Sequence, residues 1–181
     1  MDPLLLITLL AIGVAIFFGI QAFGARKAAG FEDKVMKGYF LLGLSGLMAK
    51  IAMADGRITG DEAEMANRFF RQMDLTDAER AICIGNFVTA RRDGLEARDH
   101  AKRFMAYANS AACEFLYGIL WQISMADGAF DQTEDILLKE LAQDLGLSSA
   151  FYENFKAGKR PRFDKTVLKA AGVPPSLLAL A

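Results

Sequence analysis

The feature that most constrains the fold of this chain is a repeated turn sequence. Residues 53–56 and 125–128 both read Met-Ala-Asp-Gly, and a glutamate follows each glycine by six positions. The same shift of 72 positions superimposes apolar residues and glycines on either side of the turn: Leu44 on Leu116, Gly46 on Gly118, Ile51 on Ile123 and Leu75 on Leu147. Self-similarity of this kind indicates two copies of one supersecondary unit.

Each copy is predicted to form an apolar helix, an Asp-Gly turn, a second helix, a short break and a third helix. The apolar helices, 39–54 and 113–126, are hydrophobic nearly all round, which is typical of helices buried inside a domain. The second helices, 60–73 and 132–145, carry apolar residues at helical spacing and are expected to cover the core. No useful strand pattern occurs, so the predicted fold class is all-α. Equivalent glycines are expected to allow close helix contact: Gly46 and Gly118.

Most of the repeated motif is explained by helix termination and capping. Glycine readily adopts the left-handed backbone conformation that ends a helix, and this is the expected role of Gly56 and Gly128 after the apolar helices. Three sites have the capping-box spacing: Thr59 with Glu62, Thr76 with Glu79, and Asp131 with Glu134. Only the aspartates of the two turns are left without a structural reason.

Those aspartates raise the question of a metal site. A regular calcium-binding EF-hand loop is excluded, because its first two ligand positions would fall on Ile51 and Met53. A weaker hypothesis is that carboxylates of both turns converge about a pseudo-twofold axis, where they would repel one another unless a cation neutralised them. The alternative is that the turns serve only as caps. The candidate ligands are Asp55, Glu62, Asp127 and Glu134.

The N-terminal 25 residues predict a single membrane anchor. Residues 3–25 contain no charged residue, and as a helix they would extend about 34 Å, enough to cross a bilayer core. Arg26 and Lys27 follow the run, which places the rest of the chain in the cytoplasm of a bacterium, beneath the inner membrane. A small-residue stripe would let two anchors approach as a homodimer, although small residues are also common in spanning helices. The stripe consists of Ala11, Ala15 and Gly19.

Charge and composition exclude several functions. The chain has 21 basic and 22 acidic residues, and this charge balance does not indicate nucleic-acid binding. The motifs of hydrolases and nucleotide-binding proteins are missing, so no enzyme is expected. His100 is expected to be an exposed linker residue and Trp121 a core residue. Cys83 and Cys113 are expected to be buried and reduced.

The C-terminal tail, 161–181, is basic and then apolar. Its apolar end either packs back on the helices or docks on a partner. Basic residues near it are candidates for contact with an anionic membrane surface, together with those after the anchor; the alternative is a solvated tail. These candidates are Arg26, Lys27, Lys156, Lys159, Arg160 and Arg162.

At the paired Ala-Asp-Gly turns, each preceded by a long apolar helix, the chain resembles the TerB-like (tellurite-resistance protein B) domain over roughly 31–159. With an N-terminal anchor it looks most like the N-terminal half of DjlA-type co-chaperones. The resemblance implies a pseudo-symmetric helical domain over 26–160, with repeat units 37–92 and 109–160. It also implies a divalent metal, Ca²⁺, Mg²⁺ or Zn²⁺, at the acidic turns, and association with membrane-linked stress complexes.

A DjlA-type chain should also carry a J domain with a His-Pro-Asp tripeptide, which this sequence lacks. Three functional hypotheses follow. The first is a membrane-anchored, non-enzymatic scaffold that binds a protein partner, such as a member of a chaperone system, with a metal at the turns. The second is an assembly subunit of a larger membrane complex, without metal. The third is a truncated co-chaperone of the DjlA type.

Overall fold

The fold of the chain is seen in a computed structural model that describes residues 34–90, 92–128 and 132–181. The all-α prediction is confirmed for these residues, which form nine helices and no strand. The helices are α1 (34–51), α2 (Gly60–Gln72), α3 (Asp77–Ala90), α4 (Ala97–Met105), α5 (Ser110–Ser124), α6 (Gln132–Asp144), α7 (Ser149–Lys156), α8 (Lys165–Ala170) and α9 (Pro175–Leu178).

The predicted anchor, 1–25, and its stripe of Ala11, Ala15 and Gly19 lie outside the described residues. Within the described ranges, no helix combines the length and apolar character needed to cross a membrane. The chain divides into two units, Met1–Lys37 and Gly38–Ala181.

The repeated turns end their helices in the way that the sequence predicts. Gly56 and Gly128 have φ values of 92° and 80°, in the left-handed region where a side chain would be strained. In each turn the glycine N–H donates to the carbonyl oxygen of the methionine three residues earlier, at 2.9 and 3.2 Å. The predicted capping boxes at Thr59 and Thr76 are both present. Asp131 lies outside the described residues.

The two apolar helices form the centre of the core. Eleven of the fifteen residues of α5 are buried, and α1 is almost wholly buried from Phe40 to Ala49. Helix α2 packs on α3 and α5, while α6 packs on α4, α5 and α7. The prediction that surface helices cover two buried apolar helices is therefore confirmed. Trp121 belongs to this core, where its ring lies beside Tyr117 and Phe155.

Close contact between α1 and α4 depends on two glycines. A Cβ atom at Gly46 would lie 2.0 Å from His100 Nδ1, and one at Gly43 would lie 2.3 Å from the backbone nitrogen of Phe104. At Gly118 in α5, a Cβ atom would lie 2.9 Å from the Phe163 ring. The two predicted glycines thus permit close packing, and Gly43 is an additional contact that the repeat did not reveal.

The expectation that His100 is an exposed linker residue is wrong. His100 lies in α4 with its side chain wholly buried. Helix α4 places His100 four residues before Phe104, so both side chains face α1. The signal for its burial is the amphipathic pattern of α4, in the segment between the two repeats, where His100, Ala101 and Phe104 form the buried side.

The apolar end of the tail packs back on the domain. Leu168, Val173 and Leu177 are buried members of the core. Asn109 Nδ2 secures the tail by donating hydrogen bonds to the carbonyl oxygens of Ala171 and Gly172, at 2.7 and 3.1 Å. Of the two alternatives for this segment, the structure contains the packed one.

Candidate acidic site

The first acidic turn positions Asp55 at the surface between α1 and α2. Asp55 Oδ1 accepts a hydrogen bond from the backbone N–H of Arg57 at 3.0 Å, and its Oδ2 lies 3.4 Å from Arg57 Nε. The hydrogen bond closes the turn, and it accounts for an aspartate at this position without a ligand. The Arg57 guanidinium is itself largely exposed, so this ion pair contributes little to stability.

Glu62 is held in a buried place by the start of α2. Its Oε2 accepts hydrogen bonds from the backbone N–H and the hydroxyl of Thr59, both at 2.8 Å, and its side chain is only 5% exposed. Burial raises the pKa of Glu62, the hydrogen bonds from Thr59 oppose that rise, and the negative charges of Asp55 and Asp127 add to it. Glu62 is therefore a buried carboxylate in a negative environment.

The second acidic turn repeats this arrangement. Glu134 is the third residue of α6, as Glu62 is of α2, and it is only 6% exposed. The negative charge of Asp127 adds to the rise in the pKa of Glu62, after the larger effects of burial and of Asp55.

The negative charges of Asp55 and Asp127 both add to the rise in the pKa of Glu62, and Glu134 holds the corresponding buried position at the start of α6. In the described ranges, however, no three His, Cys, Asp or Glu side chains are grouped tightly enough to hold a metal ion. The donors are hard carboxylate oxygens of the kind that Ca²⁺ and Mg²⁺ take. The residue types are therefore those of a divalent-ion site, but the described side chains are not grouped closely enough to form one in this arrangement.

The basic residues proposed for the membrane surface have different surroundings. Lys156 Nζ donates to Asp135 Oδ2 at 2.6 Å, which ties α7 to α6. The Arg160 guanidinium lies 5.6 Å from the centre of the Trp121 ring, a cation–π distance. Lys159 and Arg162 are exposed. Arg26 and Lys27 lie outside the described residues, and membrane contact stays a prediction.

An ionisable cluster that no sequence motif indicates contains the buried His100 and two partly exposed residues, Asp93 and Lys50. His100 Nε2 lies 3.3 Å from Asp93 Oδ2, and Lys50 Nζ lies 3.3 Å from Asp93 Oδ1. Lys50 also donates to the carbonyl oxygen of Ala90 at 2.7 Å. The cluster joins α1 to the segment between α3 and α4. Lys50 supplies a positive charge beside Asp93 in this cluster.

The two cysteines are buried and free, as predicted. Burial raises the pKa of the Cys83 thiol to about 12 and that of Cys113 to about 11. Since the thiolate is the reactive form, neither residue suits a nucleophilic or redox role.

Comparison with known proteins agrees with this architecture. The chain matches the family described as "Tellurite resistance protein TerB" over residues 41–157. It is 24% identical over 137 residues to the co-chaperone protein DjlA of Pasteurella multocida (strain Pm70), covering 74% of this chain and 48% of that protein. It is 23% identical over 134 residues to DjlA of Escherichia coli (strain K12), covering 72% and 49%.

DjlA of Mannheimia succiniciproducens is 23% identical over 137 residues, covering 74% and 48%. The chain thus spans about half the length of these curated relatives, and no solved structure matches. The family match extends over both repeated turns, the helices that they connect and α7. The chain therefore belongs to the tellurite resistance protein TerB family.

Proposed function

We propose that this protein is a non-enzymatic TerB module, tethered to the cytoplasmic face of a membrane, that binds a protein of a chaperone or membrane complex. A divalent cation at the paired acidic turns sets the geometry of the binding face. Asp55, Glu62, Asp127 and Glu134 would hold that ion, which would neutralise their charge and hold the two repeats together.

The observation that supports the metal site is the environment of Glu62. A carboxylate that is buried and has two further negative charges near it is costly to ionise. A bound cation would remove that cost, provided that the side chains draw closer than they lie here. Support for the tether comes from the uncharged run at 3–25, and support for a chaperone-system partner comes from the names of the relatives.

The metal site is tested by calorimetry on the full chain in detergent, titrated separately with Ca²⁺, Mg²⁺ and Zn²⁺. We expect heat of binding for at least one ion, and loss of that heat in the double variant Asp55→Asn, Asp127→Asn. A matched control with the same change of charge is Asp61→Asn, Asp74→Asn, since both residues are exposed. Absence of heat in the wild type, or equal heat in the two double variants, would remove the metal from the proposal.

Glu62→Gln separates the metal role from the capping role. Glutamine also serves at the third position of a capping box, so the variant keeps the start of α2 while losing one buried charge. Without metal we expect it to unfold at the same temperature as the wild type or higher. With the ion at about 100 times its Kd, the wild type should gain about 2.7 kcal/mol, and the variant much less. Thermal unfolding with and without the ion measures both effects.

The partner is tested separately, by purifying the full chain from a native membrane in mild detergent. A chaperone-system protein that co-purifies with the wild type and is lost in the Asp55→Asn, Asp127→Asn variant supports binding at the turns. A stoichiometric set of membrane proteins that the variant retains would instead favour an assembly subunit, whose contacts lie elsewhere.

A further inference from the structure

The outer face of α3 is a surface that the proposed function does not use. The inner side of this helix is anchored, since Cys83, Phe87 and Ala90 are buried and Asn86 Nδ2 donates to Leu42 O and Ser45 Oγ of α1 at 3.0 and 2.9 Å. On the opposite side, every residue of α3 within about 60° of Gly85 around the helix axis is exposed and uncharged. These residues are Ala78, Ala81, Ile82, Gly85, Val88 and Thr89.

The apolar side chains on this face are large and well exposed. Ile82 is 50% exposed and Val88 is 53% exposed, while Ile84 at the edge of the face is 40% exposed. Ile84 and Val88 also line an apolar groove of about 240 Å³ between α2 and α3, together with Phe70. Apolar side chains grouped in this way on a helix favour contact with another protein surface.

Among the described residues, Gly85 makes no close packing contact on its outer side. A Cβ atom built at this residue would meet nothing within 4 Å, in contrast to Gly43 and Gly46 of α1. Glycine in a helix interior is unfavourable relative to alanine, so its presence here has no intramolecular benefit. It does, however, let a second helix backbone approach closely at the centre of the face.

The charges at the two ends of α3 select the orientation of that second helix. The first turn carries Asp77, exposed and paired with Arg80 at 3.1 Å, and Arg92 follows the last turn on the same face as Gly85. A parallel copy would place Asp77 beside Asp77. An antiparallel copy places Asp77 near Arg92 and also opposes the helix dipoles favourably.

We propose that the outer face of α3 is a homodimer interface, in which two copies of this chain pack antiparallel about a twofold axis through Gly85. The twofold axis brings Gly85 against itself, Ala81 against Val88 at the edge of the apolar groove, and Ile82 against Thr89 on the other side of the face. Two copies of this face can therefore pack together without burying a charged residue of α3. Because one helix face is smaller than the roughly 800 Å² that each partner of a standard interface buries, the dimer is weak and reversible.

Disulfide cross-linking of the full chain in detergent tests this geometry. Gly85→Cys places one thiol from each copy beside the axis, and the native cysteines are buried. On mild oxidation we expect more than half of the Gly85→Cys chain to migrate as a covalent dimer. The control Glu153→Cys, at an exposed position of α7, should stay monomeric. Equal cross-linking of the two variants would overturn the proposal, even if the chains associate through another segment.

Two further variants test the orientation and the apolar contact. A mixture of Ile82→Cys and Thr89→Cys chains should yield the mixed dimer in excess over either homodimer; an excess of homodimers would overturn the antiparallel arrangement. Adding Ile82→Glu to Gly85→Cys should lower cross-linking at least tenfold while circular dichroism stays unchanged. Undiminished cross-linking in this folded variant would exclude the apolar face as the interface.

Discussion

Glu62 and His100 are both buried, and burial moves their pKa values in opposite directions. Burial raises the pKa of the Glu62 carboxyl and lowers that of the His100 imidazole, since in each case it disfavours the charged form. Asp93 partly restores the pKa of His100, whereas Lys50 and Arg103 lower it further. Burial also opposes ionisation of Asp93, but hydrogen bonds from Leu95 N and Lys50 outweigh it and hold the pKa of Asp93 below its usual range. The folded protein is therefore most stable when the His100 imidazole is neutral.

This predicts a loss of stability in mild acid. The pKa of His100 in the folded protein lies below its ordinary value of 6.5. The stability that the neutral imidazole contributes is therefore complete above pH 6.5, and it is lost as the pH falls toward the folded pKa. The free energy of unfolding should then decrease by at most about 1.4 kcal/mol per pH unit from this residue. Denaturant unfolding between pH 7.5 and 5 measures the slope.

His100→Gln should have a shallower slope over the same pH range, whatever its absolute stability. Glu62 acts in the opposite direction, because its ionisation lowers stability as the pH rises from about 4.5. The difference in slope between the wild type and the variant isolates His100. An unchanged slope would show that the imidazole is not the group that titrates.

At the scale of helices, close approach of α1 to α4 distinguishes the glycines of α1 from one another. The Cβ atom that would be added at Gly43 meets backbone atoms of Phe104 and His100, which cannot rotate away. At Gly46 it meets the imidazole ring, and at Gly38 it meets nothing within 4 Å. The same substitution should therefore have different effects along one helix.

We expect Gly43→Ala to destabilise the domain by about 3 kcal/mol, because the two helices must move apart. Gly38→Ala is the matched control, and it should be neutral or stabilising by up to about 1 kcal/mol, since alanine is the better helix former. Chemical denaturation of both variants gives the comparison. A Gly43→Ala chain as stable as Gly38→Ala would contradict the close contact.

At the scale of the whole molecule, the C-terminal helices are part of one core with the repeats. Leu177 in α9 is completely buried, and Leu168 and Val173 before it are nearly so. Helices of six and four residues are too short to be stable alone, so their structure depends on this packing. The tail is thus a structural element of the domain.

Leu177→Ala should lower the free energy of unfolding by about 3 kcal/mol, the usual cost of truncating a buried leucine. Val167→Ala, in α8, is the control, because Val167 is 65% exposed. A two-state denaturation curve for each variant measures the difference. If Leu177→Ala were as mild as the control, the tail would not be integral to the core.

The turns, the caps and the two apolar helices could all be predicted from the sequence. Gly56, Thr59 and Glu62 act on residues within a few positions of themselves, and the hydrophobic pattern of α5 requires burial whatever its neighbours are. Local signals of this kind can be recognised without knowing which residues pack against them. The repeat also predicts that the two acidic turns are related, because duplicated units tend to pack symmetrically.

Only the tertiary structure decided which distant groups meet. The effect of Asp127 on Glu62, the burial of His100 against Gly46 and the packing of Leu177 all depend on contacts between residues far apart in the chain. Sequence periodicity identifies the apolar side of a helix but does not identify the helix that covers it. Local chemistry therefore determined the elements of this protein, and long-range packing determined the surroundings of its acidic turns.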